Sequence, residues 1–228
     1  MKRIVMKFGG SLVASPQGIK RVADLVLRSR KDGSEIVAVV SALGEVTDRL
    51  LTAAHDAVGH DEKKIDQAIH ELKHVHSSAM EQTSLKPFEK RALNRATDEV
   101  LGELKRTLIG VSALGELSPR SRDLILSFGE RLSAPILAAE IESRGVRAPS
   151  MTGGEAGIET DKAFGEAVPN PAATNKGVRK SLLSKLAAGE VPVVAGFIAR
   201  STDGEVTTLG RGGSDYTATL LGAALKAD

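Results

Sequence analysis

The chain contains no cysteine and no tryptophan, and aromatic residues make up only 3% of its 228 positions. Without cysteine, disulfide bonds, thiolate catalysis and zinc sites built on thiolates are excluded. The few aromatic rings offer little for nucleic-acid bases to stack on, and 31 basic residues are balanced by 29 acidic ones. We therefore expect no nucleic-acid partner.

Long hydrophobic runs are also missing from the sequence. The longest, residues 36–43 and 191–199, are too short to cross a bilayer. No signal-peptide pattern precedes the strand-like segment that begins at Ile4. We expect a protein without membrane contact that resides in the cytoplasm, because a chain without cysteine suits a reducing compartment.

Strand and helix patterns alternate at the start of the chain. The predicted order is strand, helix, strand, helix, at Ile4–Phe8, about 16–33, Glu35–Ser41 and Val46–Val58. This spacing implies right-handed crossovers between parallel strands, so the predicted fold class is α/β. Residues 61–108 differ because they are charged and almost free of strand formers, and they predict two helices joined around Ser84–Pro87.

The second half of the chain predicts the remaining elements. A helix begins at Ser118-Pro119 and runs to about Arg144, with interruptions expected at Gly129 and Pro135. Two short strands follow at 146–150 and 157–160, and then a helix at 174–188. A longer strand at 192–199 leads into a hairpin turn at 203–204, and the last helix covers 214–226.

Two glycine-rich segments at opposite ends of the chain favour anion binding. Residues 7–11 (KFGGS) follow the first strand, and residues 210–215 (GRGGSD) precede the last helix. Glycine lets backbone approach a ligand closely, and a helix N-terminus presents unpaired N–H groups that suit phosphate. Taken alone, each segment also fits a purely structural turn, and neither matches a Walker A or Rossmann pattern.

The segment at residues 70–74 matches the H-E-x-x-H pattern of zinc metalloproteases. Helical periodicity places Ile65 on the apolar face of this helix and both His70 and His74 on the opposite, solvated face. We therefore reject a zinc site here. His76 falls on the apolar side, which predicts a core histidine.

Three other polar residues have ordinary structural alternatives. Glu130 follows a predicted helix interruption and could be a surface charge. Thr47 and Asp48 follow Gly44 and could cap the helix that begins there. Whether these residues bind a ligand can be judged only together with the segments around them.

Four segments together resemble the catalytic domain of the aspartate kinases, within the amino acid kinase family. They occur in the family's order, over nearly the whole chain, at 7–11, 39–48, 127–134 and 195–198 running on to 207–218. The Ser-Phe-Gly-Glu stretch at 127–130 and the Thr-Leu-Gly-Arg-Gly-Gly-Ser-Asp-Tyr-Thr-Ala run look like the aspartate branch.

This resemblance implies a three-layer α/β/α sandwich around a mainly parallel sheet. It implies transfer of the ATP γ-phosphate to the β-carboxylate of L-aspartate, giving 4-phospho-L-aspartate for lysine, threonine and methionine synthesis. Mg²⁺ would be held mainly through the nucleotide, without a protein metal ligand, and the protein would be a homodimer. Residues 1–228 would form the substrate-binding part of the catalytic domain, with a helical insertion at about 61–108. The nucleotide-recognition segment and regulatory ACT domains of the family are not among these residues.

The family's phosphate-binding residues carry over to Lys7, Gly9, Gly10, Ser11, Gly212, Gly213 and Ser214. As the implied catalytic pair, Lys7 stabilises charge on the transferring phosphoryl group and Asp215 orients Lys7. In the substrate pocket, Arg211 clamps a carboxylate with the bidentate geometry of a guanidinium. Glu130 receives the substrate ammonium.

The implied substrate pocket also contains Thr47, which hydrogen-bonds the substrate carboxylate, and Ser41. Position 45 is Glu where many family members have Gly, and its carboxylate would weaken binding of an anionic substrate unless it points away. A runner-up function is another amino acid kinase, such as one acting on acetylglutamate, although Glu130 argues against it because an acylated amine carries no positive charge. A non-catalytic binding module is the third hypothesis.

Overall fold

The computed structural model describes residues 2–15 and 17–228. The strands are β1 (Arg3–Phe8), β2 (Glu35–Val40), β3 (Ser150–Thr152), β4 (Glu159–Thr160), β5 (Val193–Ala195), β6 (Ile198–Ser201) and β7 (Val206–Thr208). The helices are α1 (Gly10–Ala14), α2 (Gly18–Lys31), α3 (Val46–Val58), α4 (Glu62–Glu81), α5 (Pro87–Leu114), α6 (Pro119–Glu142), α7 (Pro171–Ala187) and α8 (Gly213–Leu225). The helix start that the sequence predicts at about residue 16 lies outside the described residues.

The main sheet is parallel and has the order β1-β2-β5-β3. Its central strand β2 is buried on both faces. Ile36, Ala38 and Val40 belong to the core shared with α2, α3 and α6, whereas Val37 and Val39 belong to the core shared with α7 and α8. Because successive side chains of a strand point to opposite faces, these two cores lie on either side of the sheet. The predicted three-layer α/β/α sandwich is confirmed.

The parallel register brings the ends of the main strands to one edge of the sheet. Phe8 pairs with Val40, and both Val40 and Thr152 pair with Ala195. The loops that leave these strands therefore start side by side. In open α/β sheets this edge is where ligands bind.

The predicted strand at 192–199 is interrupted, and this prediction is wrong in its middle. Phe197 has a φ of +67°, and the Ile198 N–H donates to the Gly196 carbonyl at 2.7 Å. This tight turn ends β5 and sends β6 into a second sheet of order β4-β6-β7. The predicted hairpin at Asp203-Gly204 is confirmed, since β6 and β7 pair antiparallel on either side of it.

Helix α6 runs without a break through Gly129 and Pro135, so the interruptions that the sequence predicts are wrong. Most of this helix is buried, and packing outweighs the cost of a central proline. Gly129 is needed for contact rather than flexibility. A Cβ there would lie 2.8 Å from the Cβ of Ala42.

Other boundaries differ from the sequence predictions. The short helix α1 is additional, α7 begins at Pro171 behind the capping side chain of Asn170, and α5 extends to Leu114. The strand predicted at 146–150 is observed later, as β3. The Arg147 and Pro149 carbonyls accept from the Val191 and Val193 N–H groups, but strand pairing with β5 begins only at Ser150.

The helical region confirms the two-helix prediction and the predicted exposure or burial of its histidines. His70 and His74 are exposed, and residues 2–15 and 17–228 contain no cluster of three or more His, Asp or Glu suited to a metal ion. His76 is fully buried, and its Nδ1 lies 2.7 Å from the Leu72 carbonyl oxygen. Across the same residues, every helix is too short or too polar for a transmembrane span.

Burial of His76 predicts a stability loss in mild acid. Desolvation lowers the pKa of His76 from 6.5 to about 4. Its contribution to stability is therefore complete above pH 6.5 and is lost as the pH falls through 4, at a total cost of roughly 3 kcal/mol. Urea unfolding between pH 7.5 and pH 4 measures this loss. His76→Leu should flatten the pH dependence and the exposed control His74→Leu should not; equal profiles would contradict the assignment.

Candidate active site

A cleft of about 370 Å³ opens at the edge of the main sheet where the strands end. Its lining residues are Lys7, Gly10, Ser11, Ser41, Ala42, Gly44, Thr47, Glu130, Phe197, Gly210, Arg211, Gly212, Gly213, Ser214 and Asp215. Every residue predicted for the site lines this cleft except Gly9. That residue lies beside it, because a Cβ on Gly9 would be 3.9 Å from the Lys7 Nζ.

The two glycine-rich segments meet through an ion pair. Lys7 stands near the end of β1, Asp215 lies in the first turn of α8, and the Lys7 Nζ is 2.9 Å from the Asp215 Oδ1. The Lys7 side chain keeps 26% of its surface exposed. An ammonium held in this way can contact a ligand in the cleft while its position is fixed by the carboxylate.

The N-terminus of α8 faces the cleft. Gly212 caps the helix with a φ of +73°, and the Gly213 N–H already donates to the Gly210 carbonyl at 3.0 Å. The amides available to an anion in this turn are therefore those of Gly212 and Ser214. Gly213 serves close packing instead, since a Cβ there would lie 2.7 Å from the Phe197 ring.

The first glycine-rich segment is packed just as closely. A Cβ on Gly10 would lie 2.4 Å from the Ala42 carbonyl oxygen, and the Gly10 carbonyl accepts from the Gly44 N–H at 3.1 Å. Glycine at position 10 therefore lets α1 lie against the loop that follows β2. Ser11 is exposed in the first turn of α1 and lines the cleft.

Glu130 is the least solvated charge of the cleft, with 4% of its surface exposed. Its Oε1 accepts a hydrogen bond of 3.1 Å from the Ala42 N–H, and its Oε2 has no partner within residues 2–15 and 17–228. Burial raises the pKa of the Glu130 carboxyl to about 8, although the Ala42 hydrogen bond opposes this shift. A bound cation would satisfy the free oxygen and favour the ionised carboxylate.

The loop after β2 carries the remaining polar residues of the cleft. The Ser133 hydroxyl donates to the Ser41 carbonyl at 2.8 Å, which fixes this loop against α6. Thr47 lies in the first turn of α3, whose N-cap is Glu45, so Thr47 does not cap the helix. Glu45 itself lines a neighbouring groove between α3 and α4 rather than the cleft.

Arg211 is exposed at the cleft, in the turn between β7 and α8. Phe197 also lines the cleft and is missed by the sequence prediction. Its positive φ is a conformation that costs a residue with a side chain about 1–3 kcal/mol. The strain is offset by neighbouring contacts, because the Phe197 N–H donates to the Thr217 Oγ1 and its carbonyl accepts from the Leu209 N–H.

Comparison with known proteins agrees with this fold. A model of the amino acid kinase family matches residues 2–228, so the chain belongs to that family. Among curated proteins, it is 37% identical over 227 residues to aspartokinase 1 of Arabidopsis thaliana, covering 97% of this chain and 38% of the relative. It is 32% identical over 225 residues to the aspartokinase of Geobacillus stearothermophilus, covering 99% and 40%.

Similar solved structures also include aspartokinases. Aspartokinase III of E. coli in complex with aspartate and ADP superposes with a TM-score of 0.87 at 27% identity, covering 100% of this chain and 47% of that one. The same enzyme in complex with lysine and aspartate has a TM-score of 0.85 at 27% identity, with 98% and 47% covered. The chain spans about 40% of the length of the curated relatives it matches.

The buried Glu130 carboxyl predicts a stability loss as the pH rises from about 4.5 to 8. Its pKa in the folded chain, about 8, lies above the ordinary value of 4.5. Its stabilising contribution is therefore complete below pH 4.5 and is lost as the pH rises through 8, by at most roughly 5 kcal/mol. Urea unfolding should show that Glu130→Gln gains stability over the wild type between pH 6 and 9. The exposed control Glu116→Gln should follow the wild type, and identical curves for all three proteins would contradict the prediction.

Proposed function

We propose that this chain binds L-aspartate and ATP and transfers the γ-phosphate to the β-carboxylate, giving 4-phospho-L-aspartate. Support comes from the cleft, which combines phosphate-type turns with a buried carboxylate, and from the similarity to aspartokinases. One of the structural neighbours contains aspartate and ADP. The single observation that carries the proposal is the free Oε2 of buried Glu130.

Glu130 selects a substrate with a free amine. An ammonium group bound at the Glu130 Oε2 would pair with a carboxylate that is otherwise buried without a countercharge. A neutral acylated amine would leave the Glu130 carboxyl protonated and would gain no ion pair there, so it would bind less well than an ammonium group. The acetylglutamate-type alternative therefore fits the cleft less well than aspartate does.

Arg211 recognises a carboxylate of the same substrate. Its guanidinium can donate two parallel hydrogen bonds to one carboxylate, a geometry that a lysine ammonium does not reproduce. Thr47 adds a hydroxyl donor to a substrate carboxylate, and Ser41 lines the pocket. In this arrangement the amine and a carboxylate of aspartate bind to opposite charges within one cleft.

The transfer needs positioning and charge neutralisation rather than a strong base. An oxygen of the ionised β-carboxylate attacks the γ-phosphorus while the bond to the ADP oxygen breaks, and no proton has to move. Lys7, held by Asp215, stabilises the charge on the transferring group. The phosphate oxygens accept hydrogen bonds from the amides of Gly10, Ser11, Gly212 and Ser214 and from the two serine hydroxyls. Gly9 and Gly213 shape the turns.

We propose that the metal ion, domain organisation, pathway and oligomeric state are those of the aspartate kinases. Mg²⁺ would neutralise charge between phosphate oxygens and be held mainly by the nucleotide; Asp215 is the only carboxylate at the phosphate-type turns among the residues lining the cleft. Residues 1–228 would form the substrate-binding part of a catalytic domain with a helical insertion at 61–108. The reaction would serve lysine, threonine and methionine synthesis in the cytoplasm, in a homodimer.

Calorimetry and product assays on this chain test the function. L-aspartate should bind, and MgATP with aspartate should release ADP faster than with L-glutamate or N-acetyl-L-glutamate. A preference for acetylglutamate would transfer the assignment to another amino acid kinase. Aspartate binding without any ADP release would support the non-catalytic binding module instead.

Lys7→Ala should reduce turnover by about a hundredfold to a thousandfold with little loss of stability, because removing one charge-stabilising donor typically costs that much. Lys7 stands at a strand end and is partly exposed, so its removal leaves the core intact. Steady-state ADP release and thermal unfolding measure the two effects. Lys20→Ala, on the surface of α2, is the matched control, and unchanged turnover in Lys7→Ala would remove the assigned role.

A further inference from the structure

A second carboxylate of α6 is fully buried, and the proposed reaction does not use it directly. Asp123 has none of its surface exposed. Its Oδ2 accepts from the Gly165 N–H at 3.0 Å and from the Thr208 N–H at 2.9 Å, and its Oδ1 accepts from the Thr208 hydroxyl at 2.8 Å. These three donors satisfy a charge that has no cation among them.

The donors belong to the segments that support Arg211. Thr208 ends β7, three positions before Arg211. Gly165 packs against the same turn, since a Cβ on Gly210 would lie 3.4 Å from the Gly165 carbonyl oxygen. The Ala167 N–H also donates to the Thr208 carbonyl at 3.0 Å. Asp123 is therefore the point at which α6 is joined to the base of the Arg211 turn.

The same helix holds the opposite side of the pocket. Seven residues after Asp123, Glu130 accepts from the Ala42 N–H, and Ser133 donates to the Ser41 carbonyl. Residues seven apart lie on one helix face, about 10 Å apart along the axis. One rigid helix thus carries the ammonium-binding carboxylate itself and, through Asp123, the turn that presents the carboxylate-binding guanidinium.

We propose that Asp123 is a positioning residue that sets the separation between Arg211 and Glu130 and so selects the chain length of the amino dicarboxylic acid. The proposal rests on the proposed function, in which these two side chains bind one substrate. A loosened Arg211 turn weakens the binding of aspartate and reduces its advantage over glutamate, which is one methylene longer.

The first turn of α8, which faces the phosphates in the proposed function, is held by other contacts. The Thr217 hydroxyl accepts from the Phe197 N–H and donates to the Gly213 carbonyl, and Ser214 packs directly on Gly196. None of these contacts involves Asp123. Loss of the Asp123 carboxylate should therefore affect the amino acid and leave nucleotide phosphates nearly unaffected, a split that general destabilisation would not produce.

Asp123→Asn tests the proposal, with Glu140→Gln as the matched control. Glu140 is an equally buried carboxylate on the same helix, but it binds the Ser84 N–H and Arg144, away from the cleft. In calorimetry, Asp123→Asn should raise the dissociation constant for aspartate about tenfold, as expected for one lost anchor. The MgATP constant should change less than twofold, and the preference for aspartate over glutamate should fall. Glu140→Gln should leave both dissociation constants and the preference for aspartate near their wild-type values.

A double-mutant cycle with Arg211→Lys identifies the route of the effect. If Asp123 acts through Arg211, the double variant should bind aspartate little worse than Arg211→Lys alone, because the two losses are coupled. Additive losses, or equal effects of Asp123→Asn and Glu140→Gln on aspartate, would overturn the proposal. Should Asp123→Asn fail to fold, Thr208→Val removes one of the three contacts and should raise the aspartate constant about threefold; an unchanged constant would equally overturn it.

Hydrogen exchange separates this proposal from the proposed function. Asp123→Asn should speed amide exchange at residues 208–211 and not at 213–217, whether or not a substrate is present. If the wild type binds no aspartate, the proposed function fails, while exchange still decides whether Asp123 holds the turn. Unchanged exchange at 208–211 would contradict the positioning role directly.

Discussion

Helix α6 is the constraint on which the rest of the cleft depends. Its residues hold the loop after β2 through Gly129, Glu130 and Ser133, and they hold the strand before the glycine-rich turn through Asp123. Buried carboxylates are costly to desolvate and persist where hydrogen bonds or ligands satisfy them. Asp123 has hydrogen-bond donors from the protein on both oxygens, whereas Glu130 keeps one oxygen free. Asp123 therefore supports the structure, and Glu130 is available to bind a ligand.

The cleft divides into two electrostatic regions. At one side, Lys7 and the helix N-terminus of α8 favour anions, and the partly exposed Lys7–Asp215 pair keeps its charges in contact with water. At the other side, burial raises the pKa of the Glu130 carboxyl, and a bound cation would restore its ionised form. A zwitterionic acceptor and a polyphosphate donor suit such a cleft, because each charge of the two ligands meets an opposite charge.

Strand periodicity and glycine-rich turns are local signals, so they predict the main architecture and two anion-binding turns. The other cleft residues are implied by the resemblance to the aspartate kinases. Parallel strands then bring the two distant turns to one edge. Packing and strain are harder to predict. Gly129 and Pro135 suggest breaks that burial of α6 overrides, and the positive φ of Phe197 depends on contacts with α8. Asp123 had a usable signal, since it lies on the same helix face as Glu130, but its partners come from distant segments.

The central claim is that Lys7, Glu130 and Arg211 converge on one amino acid and one phosphate chain. A crystal structure of this chain with L-aspartate and a non-hydrolysable ATP analogue tests it most directly. The account predicts the aspartate ammonium within hydrogen-bond distance of the Glu130 Oε2, a carboxylate against Arg211, and the terminal phosphate at Lys7. Aspartate bound outside this cleft, or bound with its ammonium away from Glu130, would contradict the account.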